Sequence, residues 1–343
     1  MPSREPGWWY RTQPSLIARA LAPVASVYGA ITVRRMHKAP SYRSPIPVVC
    51  IGNFTAGGTG KTPFALWLAK RLQQLGITVV FLTRGYGSTV SAATSVDLSR
   101  HTAADVGDEA MLLARAGPVM VSPDRAAGAK AILDEFPSAA VILMDDGLQN
   151  PALHKDLSIA VVDGARGFGN GSVIPAGPLR APLAPQLART DVIVVNGRRD
   201  DRDAIEKVLA PEFSGPILSA WPEPEGATDW LQGVRAVAFA GIGNPARFFR
   251  LLEAGGAVLV ARHAFADHHN FTDAEATRLI SEAQTQGAQL VTTEKDLVRL
   301  AAADGPRAEL RRRARPLAIS LKVDVNGEDL LIGKIIRLCA SRL

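Results

Sequence analysis

The sequence contains only two cysteines, Cys50 and Cys339, in 343 residues. Two cysteines so far apart provide neither a disulfide framework nor the spacing of a zinc site. Their scarcity is typical of a protein of the reducing cytoplasm. Aromatic residues are also few, at 6 %, while apolar residues reach 47 % and charged residues 21 %. This composition is ordinary for a soluble α/β protein, and the length allows two domains that each bury a core.

The body of the chain has no excess of charge of either sign. The net charge of +6 comes from the first 50 residues, where seven basic side chains accompany a single acidic one, Glu5. A basic region confined to one end argues against a nucleic-acid groove across the body of the protein. It predicts a local anionic partner, for which an anionic membrane face is the obvious candidate.

Residues 1–45 combine this charge with aromatic residues and a mostly apolar helical stretch, Leu16 to Val33. The stretch is close to membrane-spanning length, but Arg19 and Pro23 interrupt it. We therefore expect an interfacial helix that lies in the membrane surface, with aromatic rings at headgroup level and basic side chains near anionic lipid. The alternative is an N-terminal helix that packs against the protein's own core.

The segment from Pro47 to Leu75 organises the rest of the chain. It reads as a buried strand, a glycine-rich loop and an amphipathic helix. Such a loop curls its N–H groups around a phosphate, while Lys61 reaches the β- and γ-phosphates and Thr62 binds Mg²⁺. The usual first glycine of this motif is replaced here by Thr55, and the alternative is a plain turn followed by a surface lysine. The predicted phosphate loop consists of Thr55, Ala56, Gly57, Gly58, Thr59, Gly60, Lys61 and Thr62.

Two further motifs stand at the ends of predicted strands. The apolar strand over residues 140–144 runs into Asp145 and Asp146. A carboxylate at that place, downstream of a phosphate loop, holds Mg²⁺ or its water, whereas without the loop the same residues would be a turn. The strand over residues 157–162 leads into a long segment rich in glycine and proline. Its Arg166 could contact phosphate or could be solvated.

The roles of Asp108 and His268 stay open on the residues alone. Asp108 lies at the start of a predicted helix, where acidic side chains are favoured in any protein. His268 follows Asp267, and this pair of residue types can form a carboxylate–imidazole pair or ligate a metal, although histidines on loops are usually surface residues. For contact with adenine, the candidates are Asn196 and the turn over residues 293–296.

Composition divides the chain into three parts. Residues 221–233 are rich in proline, glycine and acidic residues, and we place the domain boundary there. The predicted fold is α/β. A P-loop nucleotide-binding lobe with a mostly parallel sheet covers residues 46–225, and a smaller α/β lobe covers residues 226–343. The membrane-associating helix over residues 1–45 precedes both lobes.

Several of these motifs occur in a characteristic order. They are Thr55–Thr62, Arg84–Gly87, Val106–Glu109, Asp145–Gln149, Arg166–Gly171, Pro175–Arg180, Asp267 with His268, and Thr293–Asp296. In number, order and spacing they resemble the tetraacyldisaccharide 4′-kinase family, the lipid A 4′-kinases of Gram-negative bacteria. The resemblance implies that ATP and Mg²⁺ are used to phosphorylate the 4′-hydroxyl of a tetraacyldisaccharide 1-phosphate, which gives lipid IVA. It places the reaction at the cytoplasmic face of the bacterial inner membrane.

The resemblance also implies roles for the nucleotide-side residues. Lys61 would stabilise the transferred phosphoryl group, and Thr62, Asp145 and Asp146 would bind Mg²⁺. Gln149 would line the same site. No nucleic acid and no obligatory protein partner are expected.

For the acceptor side, the resemblance implies that Asp108 is the base on the sugar hydroxyl and that His268 tunes or orients it. Because these two residues fall in different predicted lobes, the lobes must close to assemble the site. The alternative function, from another class, is a P-loop NTPase that acts as a switch or metallochaperone on a protein partner.

Overall fold

The computed structural model describes residues 5–11, 13–301 and 304–342. In these residues, thirteen strands form two sheets. In chain order the strands are β1 (Val48–Gly52), β2 (Val79–Thr83), β3 (Thr94–Ser95), β4 (Val119–Val121), β5 (Val141–Asp145), β6 (Leu157–Asp163), β7 (Val192–Asn196), β8 (Ile217–Pro224), β9 (Arg235–Ala240), β10 (Val258–Ala264), β11 (Gln289–Thr293), β12 (Arg315–Leu317) and β13 (Ile319–Val323).

Twelve α-helices of the described residues surround the sheets, together with short 3₁₀ helices at Gly7–Tyr10 and Asp229–Leu231. The α-helices are α1 (Leu16–Met36), α2 (Lys61–Gln74), α3 (Ala103–Val106), α4 (Asp108–Leu113), α5 (Arg125–Glu135), α6 (Leu183–Leu187), α7 (Arg199–Leu209), α8 (Pro245–Ala254), α9 (Asp273–Thr285), α10 (Glu294–Arg299), α11 (Gly305–Arg313) and α12 (Val325–Ala340).

The centre of the larger sheet is β1, which leads into the phosphate loop. The strand order across this sheet is β13-β8-β7-β6-β1-β5-β2-β4-β3, and all neighbours are parallel except β13 and β3, which are antiparallel to β8 and β4. Alternate residues of β1 enter the hydrophobic clusters on the two faces, with Val49 and Ile51 on one face and Val48 and Cys50 on the other. Because parallel strands share one carboxyl edge, the phosphate loop lies beside Asp145 at the end of β5.

The smaller sheet has the order β10-β9-β11-β12, and its neighbouring strands are parallel. Its two faces carry separate hydrophobic clusters, one containing Phe248 and Phe249 of α8 and the other containing Leu279 of α9. Together, the two sheets and the N-terminal helix confirm the predicted fold class, a mostly parallel P-loop lobe with a second, smaller α/β lobe.

Composition predicts a domain boundary within residues 221–233, and this boundary stays a prediction. In the structure, the chain does not pass between the two lobes through a single linker. The segment expected to be a linker begins inside β8, where Trp221–Pro224 pair with β13. Proline fits here because β7 pairs with β8 only as far as Ala220, so the N–H groups beyond it are not needed on that side. β13 and α12 follow the smaller lobe in sequence but lie on the larger sheet, where Leu331 and Ile335 of α12 join its core.

Helix α1 packs on the protein through a narrow stripe only. Of its 21 residues, Ala18, Ala25, Gly29 and Met36 are buried, and Pro23 lies within it. By length and composition this helix could cross a membrane. The same length and composition also occur in core helices of soluble proteins and in signal sequences. Of the basic residues predicted near the N-terminus, Arg4 lies outside the described residues. The large apolar side chains of α1 that face away from the protein are Leu16, Ile17, Val24, Val27, Tyr28 and Ile31.

Candidate active site

Two side-chain amides donate hydrogen bonds to backbone carbonyls of the phosphate loop. Gly60, the residue before α2, has φ 97°, and a Cβ there would lie 2.0 Å from Nδ2 of Asn196. That Nδ2 donates to the carbonyl of Thr59 at 2.8 Å, and Nδ2 of Asn53 donates to the carbonyl of Gly57 at 3.3 Å. Asn196, a sequence candidate for adenine contact, therefore supports the loop. One N–H group of the loop, that of Ala56, donates to the carbonyl of Pro178 at 2.8 Å and so ties the start of the loop to the segment before Arg180.

The turn over residues 293–296, the other sequence candidate for adenine contact, also forms hydrogen bonds within the protein. Asp296 is fully buried and accepts from the N–H of Gly241 at 3.1 Å and from the hydroxyl of Thr293 at 2.6 Å. These bonds fix the start of α10 against the smaller sheet. The turn thereby positions the residues that follow it, Lys295 and Arg299.

Lys61 and Thr62, the first two residues of α2, are buried where the loop meets the helix. Nζ of Lys61 lies 3.7 Å from Oδ1 of Asp146, and Nη1 of Arg180 donates to the same oxygen at 2.7 Å. Burial raises the pKa of Asp146, but the charges of Arg180 and Lys61 outweigh burial and hold it below its usual range. Asp146 is therefore ionised and neutralised by two cations.

Asp145 has no such partners. Both of its carboxylate oxygens are buried, and neither has a hydrogen-bond partner among the described residues. Burial, and then the nearby charge of Glu109, raise the pKa of Asp145. A buried carboxylate without partners is costly unless a cation meets it, so Asp145 fits a Mg²⁺ ligand.

The hydroxyl of Thr62 offers a second Mg²⁺ ligand at this site and donates to Glu109 at 3.4 Å. The described residues contain no group of three or more His, Cys, Asp or Glu side chains that would hold a metal alone. This donor set suits Mg²⁺, which usually retains waters and binds through one or two carboxylates together with phosphate oxygens.

Asp108 is the meeting point of the two lobes. It begins α4 of the larger lobe, and its carboxylate is almost completely buried. From the smaller lobe, Arg299 donates to it through Nε at 2.8 Å and Nη2 at 2.5 Å, and Nδ1 of His268 lies 3.0 Å from Oδ2. Burial raises the pKa of Asp108, but the bond from His268 and the charges of Arg299 and Lys295 outweigh it and hold the pKa far below its usual range. Asp108 is therefore a fixed, ionised carboxylate.

His268 is held in a strained conformation. Its φ is 56°, and the other non-glycine residue with positive φ in the described chain is Asp146, with φ 52°. Strain of this kind persists where surrounding contacts over-determine a residue, and it concentrates at functional sites. The His268 ring also packs 5.2 Å from the ring of Tyr86 in the loop after β2. Burial lowers the pKa of His268, but Asp108 outweighs burial and raises it.

Four charged residues of the site, namely Glu109, Arg180, Lys295 and Arg299, were not predicted to act there. Lys295 donates to Glu109 at 2.9 Å, so a second ion pair crosses the lobes beside the first. Three of them, Glu109, Arg180 and Lys295, lie inside motifs of the sequence that resemble the kinase family. Their place in those motifs is the feature of the sequence that indicates a role at the site. Arg299 lies outside them, and no sequence feature distinguishes it from the other arginines.

Gln149 and Arg166 were predicted to line the nucleotide site. The amide of Gln149 donates to the carbonyl of Asn53 at 2.8 Å and to Oε1 of Gln186 at 2.7 Å, so it supports the strand that leads into the loop. Arg166 does reach the loop region, where it pairs at 2.9 Å with Glu5. The role of each at a nucleotide stays a prediction.

The Glu5 carboxylate lies directly against the phosphate loop. A Cβ on Gly57, which has φ 92°, would stand 1.6 Å from Oε1 of Glu5. The hydroxyl of Tyr10 donates to the other oxygen, Oε2, at 2.7 Å, whereas Oε1 has no hydrogen-bond partner in the part of the chain that the structure describes. An anionic group of the N-terminal segment therefore occupies the mouth of a loop suited to phosphate.

The chain is similar to known proteins over most of its length. The family model for tetraacyldisaccharide-1-P 4′-kinase matches residues 17–336. The chain is 48 % identical to a tetraacyldisaccharide 4′-kinase of Nitrobacter winogradskyi, over 94 % of each chain. It is 50 % identical to one of Rhodopseudomonas palustris, over 93 % of this chain and 92 % of the relative.

A solved structure extends the likeness to three dimensions. LpxK of Aquifex aeolicus, crystallised in complex with ATP, aligns with a TM-score of 0.70 and 26 % identity, covering 94 % of this chain and 99 % of that one. The fold, the order of the motifs and the family match all agree, and the chain belongs to the tetraacyldisaccharide-1-phosphate 4′-kinase family.

Proposed function

We propose that this protein transfers the γ-phosphate of ATP to the 4′-hydroxyl of a tetraacyldisaccharide 1-phosphate. The observation that carries the proposal is the position of Asp108, whose neighbour Glu109 contacts Thr62 of the phosphate loop while Asp108 itself pairs with His268 of the other lobe. A carboxylate between a phosphate loop and a second lobe is placed to meet an acceptor hydroxyl. The comparisons give no support to the alternative, an NTPase switch or metallochaperone.

The reaction needs positioning and charge neutralisation more than covalent help. Lys61 offsets negative charge on the transferred phosphoryl group, and Thr62 with Asp145 would hold Mg²⁺, which neutralises phosphate oxygens. Asp108 accepts the proton of the acceptor hydroxyl late in the transfer. His268 and Arg299 orient its carboxylate and keep it ionised. Because both come from the smaller lobe, closure of the lobes completes the base.

The assay is transfer of labelled γ-phosphate from Mg-ATP to tetraacyldisaccharide 1-phosphate in mixed micelles. We expect Asp108→Asn and Lys61→Ala each to lower kcat/KM by roughly a hundredfold or more, since each removes a group that acts in the transition state. Lys70→Ala is the matched control, because Lys70 lies on the same helix but is exposed. Absence of lipid product with the unaltered protein, or full activity of Asp108→Asn, would refute the proposal.

The site of action that we propose is the cytoplasmic face of the bacterial inner membrane, reached through the exposed face of α1. Four acyl chains keep such an acceptor in the bilayer, so the kinase must dock there. The support is the row of large apolar side chains that α1 turns to solvent, Leu16, Val24, Val27 and Ile31 among them. The basic pair Arg34 and Arg35 in the last turn would lie near anionic headgroups.

Docking is tested by replacing those four apolar residues with serine and following flotation with vesicles that contain anionic lipid. We expect flotation to fall strongly while nucleotide binding is kept. The control replaces Val208 and Val258, which are exposed on other elements, with serine. Equal loss in the control, or unchanged flotation of the α1 variant, would contradict docking through this face.

A further inference from the structure

The smaller lobe also contacts the supports of the phosphate loop, through an arginine that the reaction above leaves unused. Arg247 lies in the first turn of α8, and its Nη2 donates to Asn196, whose side chain supports the loop. We infer that Arg247 is a positioning residue, which acts through Asn196 to hold the end of the phosphate loop in the form that binds the phosphates of ATP. The inference rests on the proposed function and adds a residue of the smaller lobe to its nucleotide side.

Arg247 fixes the direction in which the side-chain amide of Asn196 faces. Its Nη2 donates to Oδ1 of Asn196 at 2.8 Å and to the backbone carbonyl of the same residue at 2.9 Å. In the part of the chain that the structure describes, Oδ1 has no other donor. Because a guanidinium donates and never accepts, it requires the oxygen of the amide on its own side and leaves the NH₂ group on the other.

The NH₂ group of Asn196 faces the phosphate loop. Its Nδ2 donates to the carbonyl of Thr59 at 2.8 Å, and a Cβ on Gly60 would lie 2.0 Å from the same nitrogen. Since a carbonyl only accepts, a reversed amide would set its oxygen against the carbonyl of Thr59 and leave both oxygens without a donor. The orientation that Arg247 imposes therefore acts on the two residues that directly precede Lys61.

The loop before α8 packs directly on the phosphate loop. A Cβ on Gly243 would lie 2.4 Å from the backbone nitrogen of Gly58, so this close approach requires glycine. Nδ2 of Asn244 donates to Oδ2 of Asp163 at 3.2 Å, while its Oδ1 accepts from the N–H of Arg247 at 3.3 Å and caps the helix. These contacts fix the backbone from which the Arg247 side chain extends.

Two roles could use a cation at this place, direct contact with a phosphate of ATP and support of the loop. Nη2 of Arg247 already has two acceptors on Asn196, and Nη1 lies 3.9 Å from Oδ2 of Asp163. A guanidinium that faces a carboxylate and donates to two oxygens is oriented by the protein and partly neutralised. The observations therefore favour support of the loop.

The test measures the Kd of ATP by titration calorimetry without acceptor, and separately the KM of the acceptor. We expect Arg247→Met to raise the Kd of ATP about tenfold, the loss expected for one charge-assisted hydrogen bond, and to leave the KM of the acceptor unchanged. Because Arg247 acts through Asn196, the double variant with Asn196→Ala should bind ATP no more weakly than Asn196→Ala alone. Arg250→Met is the matched control, since Arg250 is exposed on the same helix, and it should leave the Kd unchanged.

Three results would refute the inference. An unchanged Kd in Arg247→Met would show that the loop does not need this residue. Additive losses in the double variant would indicate direct contact between Arg247 and the nucleotide. Equal rises in the Kd of ATP and the KM of the acceptor would indicate that Arg247 only joins the lobes.

A second variant, Arg247→Lys, separates charge from geometry. It keeps the positive charge, but its ammonium ends one bond short of the position of Nη2 and lacks the planar fork. It should bind ATP about as weakly as Arg247→Met, and full affinity would refute the inference. Because ATP binding is measured without acceptor, an unaltered protein that binds ATP but phosphorylates no lipid would refute the proposed function alone, and the Kd values would still decide the role of Arg247.

Discussion

Removing Arg299 should destabilise the protein more than removing the carboxylate it binds. Loss of one partner of a buried ion pair costs about 3–5 kcal/mol, because the remaining charge is left uncompensated. Asp108→Asn leaves Arg299 with Asp296 and the carbonyl of Gly241, so we expect a loss near the lower limit, about 3 kcal/mol. Arg299→Met removes the partner of two buried carboxylates at once, and we expect about 4–5 kcal/mol.

The double variant, Asp108→Asn with Arg299→Met, measures the interaction energy between the two residues apart from their other contacts. We expect it to lose about 2 kcal/mol less than the sum of the single losses, because the two residues contact each other directly. Scanning calorimetry would report the difference as a shift in Tm of about 2–4 °C per kcal/mol for a lobe of this size. Arg307→Met is the control, since Arg307 pairs with Asp273 at an exposed site and should cost less than about 1 kcal/mol. Additive losses in the double variant, or an equal loss in the control, would refute the reasoning.

Three further substitutions test other parts of the site. Asp145→Asn should abolish phosphate transfer yet raise Tm of the nucleotide-free protein, because it removes a buried charge without partners; a lower Tm would contradict this. Glu5→Gln should tighten ATP binding about three- to tenfold in titration calorimetry, because a competing anion leaves the phosphate loop; weaker binding would count against it. Above pH 6.5, Tm should fall more steeply for the unaltered protein than for His268→Gln. Burial lowers the pKa of His268, but Asp108 outweighs burial and raises it, so the stability that the pair contributes is complete below pH 6.5 and is lost as His268 deprotonates. Parallel profiles of Tm against pH for the two proteins would exclude this contribution.

Much of the fold and the nucleotide half of the site could be predicted from sequence. Each of those features is local: a glycine-rich loop needs only its own residues, and Asp145 follows directly from the strand that ends at it. The acceptor half could be predicted as residues but not as contacts. Arg299 reaches Asp108 across 191 positions, and Lys295 reaches Glu109 across 186. No spacing rule connects such distant segments, because their approach depends on how the two lobes pack.

The same limit applies to β8. Its Pro222 and Pro224 are typical of a linker, and only the arrival of β13 from the far end of the chain makes that segment an edge strand. Proline is unfavourable where both sides of a strand are paired, so its tolerance here depends on a neighbour that no local pattern indicates.

The β8–β13 pair also determines what kind of movement the smaller lobe can make. The chain leaves the larger sheet at the end of β8 and returns along the adjacent β13, with Pro224 opposite Ile319 and Ala220 opposite Val323. The smaller lobe is thus an insertion whose two ends are anchored side by side. A single flexible tether would permit rotation about several axes, but a hydrogen-bonded ribbon permits chiefly bending and twisting about one. His268 and Arg299 would therefore return to Asp108 along nearly the same path in each cycle, and a break in either strand alone would leave the two lobes joined but free to meet in the wrong orientation.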